Sequence, residues 1–331
     1  MTEPHLTIAI PTFDRPEQLR ATLRLLVPQL RPECTLLILD NASPSPVADL
    51  LSAAGWDKND AVKCLRHPVN IGMAANIVRC FETARTPWLV VLGDDDEICP
   101  DYMEAMLAAI RENPDALYGT FSTSIFTRPR SFVTEGLDGF IRAIDDWSNV
   151  LFVSCCIFHR ERLVRYLRYG YLYAYSLAPH IAMLLRSLRE NGGRCFFSSK
   201  MIVNNRRHED TVTWSRVNIS NTALVIELVP DRATRQIFFD RMATTFLSVP
   251  ALALRLAERA VETGEDNDLL FRFRAFTATC LASPLRSALL RTVLGFLVRH
   301  PRLAEKLAAL IRTLSGRKRV HATESDIHAG V

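Results

Sequence analysis

Three consecutive carboxylates, Asp94-Asp95-Asp96, stand directly after the apolar run Leu89-Val90-Val91-Leu92 and Gly93. Adjacent acids repel one another, so a chain that gathers them at the end of a strand needs a neutralising charge. A hard divalent cation supplies it. Mg²⁺ takes oxygen ligands, commonly one or two carboxylates plus substrate phosphates, and Mn²⁺ accepts similar donors. The triplet therefore points to a metal–diphosphate site at the carboxyl end of a buried strand. The plainer alternative is a solvated acidic turn that caps a helix beginning near Pro100.

The elements that position this triplet can be read from apolar spacing. Residues 6–10 form an apolar strand ended by Pro11, and residues 16–30 carry leucines at helical spacing, Leu19, Leu23, Leu26 and Leu30. A second apolar strand over 35–39 runs into the turn residues Asp40-Asn41-Ala42-Ser43-Pro44. A short helix over 46–54, a strand over 61–66, a helix over 72–83 and a strand over 88–92 follow. Fully apolar strands separated by helices predict an α/β fold with a parallel sheet covered on both faces. In such sheets ligands bind at the carboxyl ends of the strands. Thr12, Asp14, Asp40 and the acidic triplet all fall just past strand ends. Beyond Pro100 come a helix over 103–112, a strand around 118–126 and a mixed region to about residue 160. A helix over 181–190, stopped by Gly192-Gly193, precedes a strand over 195–203. Near residue 220 the pattern turns helical and Arg-rich, so the expected domains are 1–219 and 220–331.

Composition sets the outer bounds. With 331 residues, 48% hydrophobic and 23% charged, the chain can bury one large core, alone or with an appendage. The first residues lack a basic region, and the apolar stretch at 6–10 is too short for a signal-peptide core. No apolar run approaches the length of a membrane span. Eight scattered cysteines without paired metal-ligand spacing favour a reduced, cytoplasmic compartment. The net charge of +4 is unevenly placed: residues 285–319 hold nine Lys/Arg against Glu305, leaving the remainder net acidic. Pro301 divides this stretch into two basic amphipathic helices. They suit peripheral contact with the inner face of an anionic membrane, or else form a helical subdomain with arginines toward solvent. Interleaved aromatics and a recognised motif are lacking, so nucleic acid is not an expected partner.

Four stretches in order resemble the GT-A fold glycosyltransferases of family 2: residues 8–15 (Ile-Ala-Ile-Pro-Thr-Phe-Asp-Arg), 37–43 (Leu-Ile-Leu-Asp-Asn-Ala-Ser), 70–76 (Asn-Ile-Gly-Met-Ala-Ala-Asn) and 88–100 with the acidic triplet. The resemblance implies a Rossmann-like, mostly parallel sheet flanked by helices, with an α-helical C-terminal region. It also implies inverting, metal-dependent transfer from a nucleotide-diphosphate sugar, a UDP-sugar in the first instance, to a glycan or lipid-linked acceptor, as in cell-surface polysaccharide synthesis. On that reading Asp95 ligates Mn²⁺ or Mg²⁺ with Asp94 or Asp96 assisting, and Asp94 contacts ribose or sugar. Pro11, Thr12, Asp14, Asp40, Asn70 and Gly72 line the nucleotide. Asp40 would accept the N3–H of uracil, and its alternative is an ordinary turn. Thr12 has the same alternative, Asn70 and Gly72 that of shaping a loop, and Arg15 and Arg79 read as surface charges.

Two departures stand out. Gly93 occupies a position where the family often has an acid. Where an acidic pair commonly supplies the base, this chain has Pro179-His180. His180 is the expected base, since an imidazole with a pKa of about 6.5 suits that task at neutral pH; its alternative is a helix-start residue without chemistry. His208-Glu209-Asp210 is the rival source, in a loop that carries Arg206, Arg207 and Trp214 for phosphate pairing and sugar stacking, or is a charged surface loop. The competing function is a non-catalytic nucleotide-sugar-binding or membrane-associated scaffold protein. A nucleotidyltransferase would need a Gly/Arg/Lys-rich loop where Pro11-Thr12-Phe13-Asp14-Arg15 stands.

Overall fold

Strand β1 (Leu6–Thr12) is central because its side chains are apolar on both faces, and Leu6, Ile8, Ala9 and Ile10 are fully buried. It pairs in parallel with β2 (Cys34–Asp40) on one side and β4 (Trp88–Val91) on the other, and β3 (Val62–Arg66) extends the sheet beyond β2. The computed structural model describes residues 5–204 and 228–246, with isolated positions at 224, 292, 296, 300, 303 and 306. The chain divides into two compact units, Met1–Ala174 with Pro179–His208, and Tyr175–Ala178 with Glu209–Val331.

Register sets the site's geometry. Thr12 lies opposite Asp40, and Asp40 opposite Arg66, so three polar residues share one row at the carboxyl ends. Ala9 lies opposite Val91. Three residues further along both strands, Thr12 comes level with Asp94.

The other strands are β5 (Glu97–Ile98), β6 (Ala116–Thr123), β7 (Phe132–Glu135), β8 (Cys156–His159) and β9 (Arg194–Asn204). The sheet runs β3-β2-β1-β4-β8-β6-β9-β5, with β7 also on β9. It is parallel through β3-β2-β1-β4 and mixed beyond, because β8 enters antiparallel to β4 and β6. Thus the half that holds the acidic triplet has the expected parallel form. Gly119 on β6 lies opposite Phe196 on β9, whose ring covers it, so a Cβ at position 119 would collide with that ring.

Helices α1 (Pro16–Leu26), α2 (Val47–Ala53), α3 (Met73–Thr83) and α4 (Tyr102–Glu112) connect the first strands. Pro16 opens α1 with its φ already suited to a helix. Leu19, Leu23 and Leu26 form its buried stripe, and Pro28 ends it before Leu30. The mixed region resolves into α5 (Gly136–Ala143), α6 (Trp147–Leu151), β8, α7 (Arg160–Leu163) and α8 (Leu167–Leu172). Helix α9 (Pro179–Asn191) is buried over most of its length. An aromatic core joins these layers, with Phe158 packed against Phe81 at 5.2 Å and Tyr118 at 5.4 Å between ring centroids.

In the second unit, α10 (Arg232–Phe246) starts at Asp231, whose carboxylate accepts the Thr234 N–H at 2.7 Å. The boundary expected near residue 220 and the basic helices of 285–312 fall outside the described residues, apart from the isolated positions named above. Among the described residues no helix is long and apolar enough to cross a membrane.

Candidate functional site

The three aspartates meet three different environments. Asp94 accepts the Thr12 hydroxyl at 2.7 Å through Oδ2 and the Arg15 guanidinium at 2.9 Å through Oδ1. Its carbonyl accepts the Thr22 hydroxyl from α1 at 2.9 Å. Asp95 pairs with the other end of the same guanidinium at 2.9 Å and keeps 23% of its side chain exposed, against 7% for Asp94. Asp96 accepts the Ser154 hydroxyl, whose oxygen in turn accepts the Gly93 N–H at 2.8 Å. Arg15 therefore bridges two acids of the triplet, which corrects its reading as a surface charge. Arg79 does pair with a neighbour on its own helix, Glu82, at 2.6 Å.

Burial, more than charge crowding, sets the acidities. Burial raises the pKa of Asp94, against the opposing pull of Arg15 and the Thr12 hydrogen bond. Burial likewise pushes Asp96 up to about 7, the Ser154 hydrogen bond opposing it and the charges of Asp95 and Asp94 adding to it. A Cβ on Gly93 would run into Asp96 Oδ2, with Ser154 Oγ 3.4 Å away. The Asp96 carboxylate thus fills the space a side chain at position 93 would need, a physical reason for glycine where the resemblance anticipates an acid.

The donors suit Mg²⁺ or Mn²⁺ in type, since all are hard carboxylate oxygens and one guanidinium leaves the triplet under-neutralised. They do not form a ready-made cage: among the described residues no group of three or more His, Cys, Asp or Glu side chains converges as metal ligands. Such a set fits an ion that takes one or two carboxylates and completes its shell with phosphates.

At the end of β2, Asp40 faces inward and is 1% exposed. Its oxygens accept the Ser43 N–H at 2.8 Å, the Val47 N–H at 3.3 Å and Arg66 at 2.6 Å. Burial alone would raise its pKa, but these hydrogen bonds outweigh it and hold the carboxyl below its ordinary value. In this structure Asp40 organises the turn, its oxygens directed to these donors rather than to solvent. Asn41, which the sequence marked only as a turn residue, joins three loops. Its N–H donates to the Thr12 carbonyl at 2.9 Å. Its side chain donates to Asn70 Oδ1 at 2.6 Å and accepts the Ile71 N–H at 3.0 Å. Asn70 also accepts the Gly72 N–H at 2.8 Å, and Gly72 has φ 82°, a left-handed conformation that favours glycine. Asp14 and Ala42 hold the same unusual region at φ 52° and 66°. Asp14 is exposed, its N–H donating to Ser43 Oγ at 3.0 Å, and Pro11 lies opposite Leu39 near the end of β1.

The structure thus brings Pro11, Thr12, Asp14, Asp40, Asn70, Gly72 and the triplet to one end of the parallel strands. His180 is not among them. It lies in the first turn of α9, 1% exposed, its ring 6.0 Å from Phe158. Phe158 pairs with Leu89 near the amino end of β4, whereas the triplet follows the carboxyl end. The carbonyls of Leu151 and Val150 lie near enough to favour the protonated ring slightly, yet neither ring nitrogen makes a hydrogen bond of normal geometry. Burial lowers its pKa to about 3. A ring buried to this degree has no open path to an acceptor hydroxyl in this structure, which counts against the expected base. His208-Glu209-Asp210, with Arg206, Arg207 and Trp214, lies outside the described residues. Arg15, Asn41 and Ser154 are the site residues that sequence reasoning missed. The first two stand beside recognised positions, whereas Ser154 has no local signal.

Residues 7–167 match the family described as Glycosyl transferase family 2. A curated relative, an uncharacterized glycosyltransferase of Haemophilus influenzae, is 25% identical over 135 residues, 40% of this chain and 44% of that protein. The match thus spans less than half of that relative. Among solved structures, S. aureus TarS 1-349 in complex with UDP-GlcNAc superposes with a TM-score of 0.58 at 14% identity, covering 97% of this chain and 95% of that one. The mannosyltransferase PcManGT from Pyrobaculum calidifontis, in complex with GDP-Man and Mn²⁺, gives a TM-score of 0.50 at 14% identity, covering 96% and 89%.

Proposed function

Because residues 7–167 match the family described as Glycosyl transferase family 2, we propose that the chain moves a sugar from a nucleotide-diphosphate sugar to a hydroxyl of a glycan or lipid-linked acceptor, with inversion. The observation that carries this reading is the hydrogen-bonded convergence of Thr12, Arg15, Asn41 and the acidic triplet past the ends of β1, β2 and β4. Transfer breaks the bond between the anomeric carbon and the diphosphate oxygen, leaving charge on the diphosphate. A divalent metal, Mn²⁺ or Mg²⁺, supplies Lewis-acid neutralisation of that charge when bound. Asp95 would hold it, with Asp94 or Asp96 assisting, and Asp94 is itself kept in place by the Thr12 hydroxyl. Thr12 and the Asn41–Asn70 loop would position the nucleotide, and the fixed Asp40 turn would keep that loop in register.

The acceptor hydroxyl must lose a proton as it attacks the anomeric carbon. With His180 sealed, we assign the base to the His208-Glu209-Asp210 segment. UDP is the first choice of nucleotide and GDP the second, supported by the complexes of TarS and PcManGT. The basic composition of residues 285–312 suits work at the inner face of a membrane, where a lipid-linked acceptor would be met.

Calorimetric titration of UDP and GDP, with and without Mn²⁺, against wild type and Asp95→Ala tests the donor site. The expected result is Mn²⁺-dependent UDP binding that weakens at least about tenfold in the variant, roughly the 1.4 kcal/mol of a tenfold change. Binding that ignores both Mn²⁺ and the substitution would overturn the role of Asp95, and no binding of either nucleotide would overturn the site. The sealed His180 is the observation that favours the non-catalytic alternative. Donor binding without transfer or donor hydrolysis, unchanged in Glu209→Gln and Asp210→Asn, would identify it.

A further inference from the structure

We propose that Arg15 is an internal counter-ion of Asp94 and Asp95 that passes from Asp95 to the donor diphosphate when a metal binds there, coupling the two ligands. This rests on the donor-site reading above. One guanidinium spans Asp94 and Asp95, with both nitrogen–oxygen distances at 2.9 Å. Asp95, the carboxylate assigned to the metal, is therefore occupied by a cation of the chain's own.

The construction around Arg15 separates a fixed backbone from a side chain able to move. Its carbonyl accepts the Leu19 N–H at 3.0 Å as α1 begins, and Pro16 follows it. The preceding residue, Asp14, is held at φ 52° with its N–H on Ser43 Oγ. The side chain as a whole, by contrast, is 44% exposed. A pair with that exposure is weak enough to exchange, because water screens it.

Charge decides the direction. Three carboxylates against one guanidinium leave a negative site, so a divalent ion is attracted but meets Arg15 on Asp95. Once the ion takes Asp95, the guanidinium loses half of its fork. A donor diphosphate would offer it two oxygens that the planar guanidinium fork can contact together. Metal alone must evict Arg15 without giving it a new partner, whereas metal with diphosphate does give it one. By linkage, each ligand then tightens the other beyond what their direct bond supplies.

The test measures Mn²⁺ binding by the loss of the free-ion EPR signal, alone and with UDP or GDP, whichever wild type binds. Arg15→Ala should bind Mn²⁺ alone roughly two- to fivefold more tightly than wild type, as expected for removing a partly exposed competitor. The factor by which the nucleotide tightens Mn²⁺ should shrink by about tenfold or more, the scale of one hydrogen-bonded charge contact. Arg15→Lys, which keeps the charge but not the fork, should fall between. Thermal melting of each variant checks that it folds. If Mn²⁺ binds folded Arg15→Ala alone no better than wild type, or if the coupling persists in that variant, the proposal is overturned while the donor site stands. If wild type binds neither nucleotide with Mn²⁺, both readings fall.

Discussion

Ser154 carries no charge, yet it sets where one end of the acidic triplet points. Its hydroxyl donates to Asp96 and accepts from the Gly93 N–H, and its carbonyl accepts the Tyr102 hydroxyl at 2.9 Å. Ser154→Ala removes the partner of a buried carboxylate and of a backbone donor together. It should lower stability by about 1–3 kcal/mol, the range for stranding a buried polar group, and weaken Mn²⁺-dependent nucleotide binding. Urea unfolding and calorimetry on the same protein separate the two effects; lost stability with intact binding would make Ser154 structural only. Gly93→Ala should mimic it from the other side, since the added methyl displaces the Asp96 carboxylate that Ser154 holds. The three aspartates were legible in the sequence as a group. Their unequal roles were not, because Thr12, Arg15 and Ser154 reach them from remote parts of the chain.

At the scale of elements, the strands were the legible part. Runs of apolar residues without alternation announce burial on both faces, and β1, β2 and β4 have that form. Strand β8 stayed hidden: four residues inside a mixed region carry no periodic signal, and only pairing with β4 and β6 makes them a strand. Helix α9 was legible as a helix, but not the burial of its first turn. That burial has a measurable consequence. Folded His180 has a pKa of about 3, whereas an unfolded histidine titrates near ~6.5. Between those values the unfolded chain takes up a proton that the folded chain refuses, so stability is lost as pH falls below about 6.5. At pH 5 the loss should be about 2 kcal/mol. Asp96 works in the opposite sense, because a raised carboxyl pKa adds stability as pH falls through about 7. The difference between wild type and His180→Phe therefore isolates the imidazole. Urea midpoints at pH 7 and pH 5 should show the variant gaining relative to wild type on acidification; parallel shifts would mean that His180 is not sealed.

At the scale of the molecule, charge is the organising feature. The basic stretch 285–319 opposes a net acidic remainder. Each basic residue near an anionic membrane contributes about 1 kcal/mol of attraction. The full chain should therefore co-sediment with vesicles containing phosphatidylserine and leave them at about 1 M NaCl, where the screening length is about 3 Å. Neutral phosphatidylcholine vesicles should retain little. Equal retention on both, or none on either, would turn the arginines toward solvent in a helical subdomain.

From the sequence by itself follow an α/β sheet, its parallel order near the amino end, and polar chemistry gathered past the strand ends. These depend on local properties, apolar runs and the turn residues that stop them, which stay readable within a few positions. The tertiary structure alone decided that Arg15 clamps Asp94 from 79 positions away, that Ser154 holds Asp96 across 58, and that His180 is closed into the core. Each of those outcomes is set by which distant surfaces pack together, and burial and ion pairing are properties of that packing rather than of any segment.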